Sequence, residues 1–379
     1  MARIRDRVAY ATFYCTRLKD ERDKDPYFDA VQLLIYQILH RPSTCTQLGI
    51  PVLVFVLPHV SERRRNVFRS MGACVIELDY VPHPGTHPRR ERWIDQLCQL
   101  RIFQQVSHDR ILYLDADMLL TKSLDAIWSE PVSSQRYETR AEVEEDPARL
   151  LRIAPLPGQK LRPHAPESQQ DRMSLPRMAP LPDKYLFVAV SDTYANRKPD
   201  PPVPCWYTAL NSGFWLASPS LEMFEYYTSL LAFPDSYDSQ YMEQGIFRYA
   251  HGDDGPMPWQ QFERKWNVNW PRAEDLRCGT ATLHDRFWIT DEPWTEPELV
   301  QAWDEAVKEM QAFRRGMIVQ DDASAVPGHE RLSSGCSRSS RKYGSTSRRT
   351  SVECAAQRSL DNVFRPVDFA TLGQNTPCY

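Results

Sequence analysis

Cysteine is sparse and unpatterned: nine residues in 379, with no C-x-x-C pair and no regular spacing. That argues against a disulfide framework and against a structural zinc site, and it fits reduced thiols in a cytosolic setting. No apolar run approaches the roughly 20 residues that span a bilayer. The longest candidates, VQLLIYQIL and VLVFVL, are too short. The N-terminus, MARIRDRVAYATFY, is basic but lacks the apolar centre of a signal peptide. Strong charge of one sign is missing as well. A formal net charge of -4 gives no whole-protein attraction to nucleic acid or to an anionic membrane. No internal repeat is evident.

What is present points to a globular body with less ordered additions. A hydrophobic fraction of 42% with 11% aromatics suffices for a substantial core, whereas thirty prolines place part of the chain outside it. The length suits one enlarged catalytic domain or two ordinary ones. Val8 to Phe13 reads as a first strand. Phe28, Val31, Ile35 and Ile38 recur at helical spacing. The continuous apolar run Val52 to Leu57 is the pattern of a strand buried on both faces. Ser61 is placed to cap a second helix that ends near Gly72. Cys74 to Leu78 is a third strand. Trp93, Leu97, Leu100 and Phe103 mark a third helix, and Ile111 to Leu114 a fourth strand. This alternation predicts an α/β domain with a doubly wound, mostly parallel sheet. In such sheets ligands bind beyond the carboxyl ends of the strands.

Composition changes after Trp128. Residues 129–184 hold acidic clusters and repeated prolines, predicting a disordered or loosely ordered insertion. Order resumes with YLFVAVSD, and residues 185–318 form the second half of the same catalytic domain, closed by a helix from Glu298 to Arg314. Residues 319–379 are rich in serine and arginine and read as a disordered tail. Such tails are solvated linkers or phosphorylation targets more often than nucleic-acid arms.

The residues that bear most directly on chemistry are Asp115 and Asp117, in RILYLDADMLL. Four apolar residues deliver the chain to a strand end, where two carboxylates follow, one residue apart. Carboxylate oxygens are hard ligands suited to Mg2+ or Mn2+. A cation held there would neutralise charge on a departing diphosphate, and small Ala116 keeps the turn tight. A solvated turn is the plain alternative. Haloacid-dehalogenase-like phosphatases also begin D-x-D, but on their first strand and with Thr or Val where this chain has Leu119.

Four blocks together resemble glycosyltransferase family 8, the glycogenin-like group, and particularly its fungal members. They are VAYATFY with YFDAVQLL, then RILYLDADMLL, then LNSGFWLA, then EQGIFRYA with a later LHDRFW. The resemblance implies a GT-A type, Rossmann-like fold, a UDP-sugar donor, transfer of a hexosyl or N-acetylhexosaminyl group with retention of configuration, and Mn2+ or Mg2+ as cofactor. It implies Asp115, Asp117 and His284 as metal ligands. Ala11, Thr12 and Tyr27 would line the nucleotide, with Arg90 on the diphosphate side and Ala116 within the acidic turn. Asn211, Ser212 and Gly213 match a loop at the donor sugar. Glu243 and Gln244 match the acid and amide beside the reacting centre, where Asn211 also contributes.

The chain departs from the pattern at two lysines, having Gln99 and Glu292 in their places. A catalytically impaired relative acting as a binding or scaffold protein is the alternative those changes leave. The region after EQGIFRYA has no tyrosine, which argues against self-glucosylation. The expected partners are a UDP-sugar and a sugar or protein acceptor, with no nucleic acid and no membrane segment; a homodimer is compatible. The expected location is cytoplasmic, or the Golgi lumen if an anchor precedes the chain. Tryptophans 259, 266, 270, 288 and 294 read as core packing before a sugar platform, and HGDDG at 251–255 as a polar loop before a metal cluster.

Overall fold

Apolar runs set the centre of the molecule. Val8–Tyr14 (β1), Val52–Val56 (β2) and Arg110–Leu114 (β4) are buried along their whole length, while Cys74–Glu77 (β3) lies at the sheet edge with both end residues exposed. Side chains alternate across the sheet. Val52, Val54 and Val56 enter one apolar cluster and Leu53, Phe55 and Leu57 the other. Burial on both faces is what an inner parallel strand needs.

The structure, a computed structural model, describes residues 6–18, 24–82, 91–143, 178–192, 210–233, 236–290 and 295–324. The chain divides into two units, Met1–Ala325 and Val326–Tyr379, and the second lies outside the described residues. Helix α1 (Pro26–Leu39) follows β1, and Asp25 caps it by accepting from the Phe28 N–H at 3.2 Å. Helix α2 (Glu62–Ser70) is capped by Ser61, which accepts from the Arg64 N–H. Its last turn gives way to Gly72 at φ +91°, a conformation that favours glycine. The third helix, Glu91–Gln104, is wound as a 3₁₀ helix rather than an α-helix.

Further strands follow: β5 (Met118–Leu120), β6 (Tyr137–Glu138), β7 (Lys184–Tyr185), β8 (Phe187–Ser191), β9 (Leu210–Ala217), β10 (Gln260–Gln261), β11 (Asn267–Asn269) and β12 (Thr282–His284). The main sheet runs β10-β8-β9-β4-β1-β2-β3. Pairings among β4, β1, β2 and β3 are parallel, as is β10 with β8, while β9 lies antiparallel to both β4 and β8. This is an α/β fold with a mostly parallel sheet. From β1 the chain winds out to β2 and β3, then returns to place β4 on the other side. That reversal opens the crevice at the carboxyl ends of β1 and β4. A small second sheet, β11-β12-β5, stands beside it.

The remaining α-helices among the described residues are α3 (Leu221–Leu230), α4 (Glu243–His251), α5 (Ala273–Arg277) and α6 (Pro297–Ser324). Helix α6 extends past the expected end at Arg314 and also past residue 318. Leu299, Trp303, Ala306 and Met310, at helical spacing, bury against the core. The insertion also begins later than composition suggests. Residues 129–143 are folded, and β6 pairs antiparallel with β7, so that Tyr137 faces Tyr185. Residues 144–177, for which disorder is expected, lie outside the described residues, as do Arg90, Glu292 and Trp294. Five cysteines, 15, 45, 74, 98 and 278, are free thiols. No described helix is long and apolar enough to cross a membrane.

Candidate active site

The acidic turn stands where the sheet reverses. Leu114, last in β4, pairs with Phe214 of β9. One residue on, the Asp115 N–H donates to the Gly213 carbonyl at 2.8 Å. Past Asp117 the chain enters β5, which runs antiparallel to β12 so that His284 faces Met118. The Asp285 N–H then donates to the Asp117 carbonyl at 3.2 Å. Two sheets thus deliver Asp115, Asp117 and His284 to one point. His284 Nε2 lies 3.2 Å from Asp117 Oδ1 and 3.7 Å from Asp115 Oδ2. One ligand atom from each of the three falls within 4.8 Å of the others.

Two carboxylates and an imidazole form a donor set for a divalent ion of the Mn2+ or Mg2+ kind. The backbone of β9 approaches these ligands closely. A Cβ built on Gly213 would stand 2.3 Å from His284 Cε1 and 2.7 Å from Asp115 Oδ2. Position 213 therefore admits glycine alone without displacing the ligands.

The imidazole is fixed from behind. Its Nδ1 lies 2.7 Å from Asn269 Oδ1. The Asn269 amide nitrogen donates to the Ser191 carbonyl at 3.2 Å, and the Asn267 amide nitrogen donates to Asn269 Oδ1 at 3.3 Å. Thr282 Oγ1 donates in turn to Asn267 Oδ1 at 2.7 Å. With the Asn269 oxygen thus turned to the ring, Nδ1 carries a proton and Nε2 is the nitrogen that faces the carboxylates. Sequence reasoning missed Asn269. The alternation N-V-N, which puts both asparagines on one face of a strand, was its only signal.

Charge is strongly coupled here. Burial and the charge of Asp117 push Asp115 up to about 6. Burial alone would raise Asp117 too, but the His284 ring holds it below the usual carboxylate range. Burial would lower His284, yet Asp117 and Asp115 hold it up to about 9. In the metal-free protein the ring is therefore charged at neutral pH, and a cation must displace that proton. Tyr113 completes the surround, its hydroxyl donating to Asp115 Oδ1 at 2.9 Å.

Glu243 opens α4 after Met242, whose φ of 52° is the left-handed conformation in a non-glycine residue. The Ser212 hydroxyl donates to Glu243 Oε1 at 3.0 Å, and the Ser212 N–H donates to Gln244 Oε1 at 2.9 Å. Asn211 accepts from the Gly213 N–H at 2.8 Å. The start of β9 therefore joins the acidic turn to the head of α4. Glu243 Oε2 is buried and has no hydrogen-bond partner among the described residues. Burial, with the charge of Asp115, pushes this carboxyl up to about 8, so it is neutral at pH 7.

Ala11 and Thr12 sit in β1 with their side chains fully enclosed, and the Thr12 hydroxyl has no partner among the described residues. Ala116 packs into the core beneath the turn. Tyr27 stands edge-on to Trp288, ring centres 5.1 Å apart, which ties the start of α1 to the loop after His284. Gln99 is enclosed within the core. Trp259 and Trp266 are buried in the core. His251 stacks on Phe187 at 3.9 Å and meets the Met257 carbonyl at 2.6 Å, a packing role.

No family model matches the chain. It is 27% identical over 308 residues to an uncharacterised protein of Schizosaccharomyces pombe, covering 77% of each chain. A segment of 80 residues is 31% identical to galactinol synthase 7 of Arabidopsis thaliana, covering 21% of this chain and 24% of that enzyme. Among solved structures it is similar to the galactosyltransferase LgtC in complex with donor and acceptor sugar analogues, with 13% identity, 80% of this chain and 95% of the other covered, and a TM-score of 0.43.

Proposed function

We propose that this chain is a metal-dependent, retaining glycosyltransferase that uses a UDP-sugar. The reading rests on one observation: Asp115, Asp117 and His284 converge at the reversal point of a mostly parallel sheet, beside a glycine where any Cβ would press on the ligands. The short segment shared with a galactinol synthase is in keeping with it. A divalent cation bound there would supply charge neutralisation for a leaving diphosphate.

The chain's own residues would bind and orient. Ala11, Thr12 and Tyr27 form the nucleotide side, with Tyr27 held by Trp288. Asn211, Ser212 and Gly213 present the donor sugar to Glu243 and Gln244. An acceptor hydroxyl attacks the anomeric carbon from the face that the diphosphate leaves. The C–O bond to diphosphate breaks as the new one forms, and the hydroxyl proton passes to the departing phosphate oxygen. Glu243, neutral and buried, suits the role of orienting the sugar better than that of a covalent nucleophile. Positioning and electrostatics would carry most of the rate.

UDP release from a panel of UDP-sugars, with Mn2+ and with a chelator, tests this. Release that depends on Mn2+ and disappears in Asp117→Asn supports the reading. A wild-type protein that neither binds nor cleaves any UDP-sugar refutes it and favours the binding or scaffold alternative.

A further inference from the structure

Among the described residues Tyr80 is the only tyrosine, tryptophan or phenylalanine that is exposed, at 48%. A lone exposed ring needs no explanation by itself, but this one is clamped. The Tyr80 hydroxyl meets His59 Nδ1 at 2.6 Å, and the two rings stack 6.0 Å apart with 14° between their planes. Arg101 fixes the backbone by donating to the Tyr80 carbonyl at 3.0 Å. The same 3₁₀ helix, Glu91–Gln104, also holds the chain after β1, where Asp95 accepts from Arg17 through two bonds of 2.8 Å. A flat apolar face is thus kept rigid in water, ready to be covered by another flat group.

Strand register puts this face on the edge of the sheet where the acidic turn stands. β4, β1, β2 and β3 are parallel neighbours in that order. Tyr14, Val56 and Glu77 form one row across β1, β2 and β3. Arg17, His59 and Tyr80 each follow that row by three residues, and Asp115 follows the last residue of β4 at the same edge. Neighbouring strands stand about 4.8 Å apart, so β2 and β3 lie roughly 10 and 14 Å from β4. That is the reach of a nucleoside diphosphate from its phosphates to its base. On the other flank of β4 stands β9, which carries Asn211, Ser212 and Gly213. With the sugar on the β9 side, the base is the part of the donor that extends towards β2 and β3.

Resting on the transferase reading, we propose that Tyr80, stiffened by His59, is the stacking platform for the base of the donor nucleotide. Every base has a π face, so such a platform supplies affinity without choosing among bases. Its contribution belongs to nucleotides and is absent from a bare diphosphate.

The test is calorimetry in Mn2+ with two probes, UDP and inorganic pyrophosphate. Tyr80→Ala should weaken UDP about 10- to 100-fold and leave pyrophosphate binding as in the wild type. Tyr80→Phe gives up the bond to His59 but keeps the ring, and should retain most of the UDP affinity. Equal UDP affinity in Tyr80→Ala and wild type overturns the proposal. So does a loss that UDP and pyrophosphate share, because the ring then supports the fold rather than the base. Wild-type protein that binds neither probe overturns the transferase reading and this proposal with it.

Discussion

Two clusters of charge lie within this domain, and they are built on opposite plans. Behind β1, Arg64 meets both Asp25 and the Tyr14 hydroxyl, and Tyr14 donates to Asp25 Oδ2 at 2.7 Å. The ring of Phe28 stacks 4.9 Å from the guanidinium. One positive group faces one negative group and the set is closed. At the acidic turn two carboxylates face a single imidazole. A closed cluster joins elements: it ties the β1 end, the α1 cap and α2. A cluster with surplus charge of one sign is completed only by something from outside. The first serves stability, and on the proposed function the second serves binding.

The sharpest way to break the comparison is to remove one charged group from each plan. Asp117→Asn should abolish Mn2+-dependent UDP binding while the melting temperature changes little, because relief of repulsion with Asp115 is set against loss of the His284 contact. Binding measured beside a thermal melt checks both halves. Arg64→Ala should do the reverse. It strands Asp25 without its partner, which costs about 3–5 kcal/mol, seen as a lower denaturation midpoint. If Arg64→Ala unfolds no more readily than wild type, the closed cluster is not structural.

Glu243 belongs to neither plan, since it is a lone buried acid held neutral, and that gives a pH signature. Its folded value of about 8 lies above its unfolded value. The folded state therefore keeps a proton that the unfolded chain has lost, and stability falls as pH rises towards 8. Between pH 6 and 7.5 the wild type should lose about 2 kcal/mol relative to Glu243→Gln, whose amide does not titrate. Urea melts at the two pH values measure this. Parallel pH profiles in the two proteins would mean that Glu243 is ionised in the fold.

Much of this arrangement is legible in residue patterns. VLVFV and ILYL announce buried strands because burial on both faces leaves no polar position. D-A-D after the second run marks a strand end with surplus charge. Other parts are silent for physical reasons. His284 is one of nine histidines, and only the resemblance singles it out, because β12 reaches β5 across more than 160 residues of chain. Met242 adopts a conformation that sequence assigns to glycine, imposed by the packing around α4. The 3₁₀ winding of Glu91–Gln104 has the same apolar spacing as an α-helix would. Asn269 looks like an ordinary polar strand residue, since its task exists only once β11 lies beside β12.

Asn269 also provides the mildest perturbation. Asn269→Ala leaves both carboxylates and the imidazole in place and removes only the acceptor that holds Nδ1–H. The ring can then turn, or take the other tautomer with its lone pair facing away from the acids. Outer partners of metal-bound histidines contribute 10- to 100-fold to affinity. Two carboxylates remain here, so Mn2+ affinity should fall by about tenfold, at the low end of that range. Because Mn2+ must displace the His284 proton in either protein, affinity should rise with pH up to about 9 in the wild type. The variant should rise in the same direction, offset to weaker binding throughout. Asn269→Asp separates orientation from mere packing: its carboxylate still accepts from Nδ1 and should restore binding. If Asn269→Ala binds Mn2+ as well as wild type at every pH, the two carboxylates alone define the site and the imidazole is incidental to it.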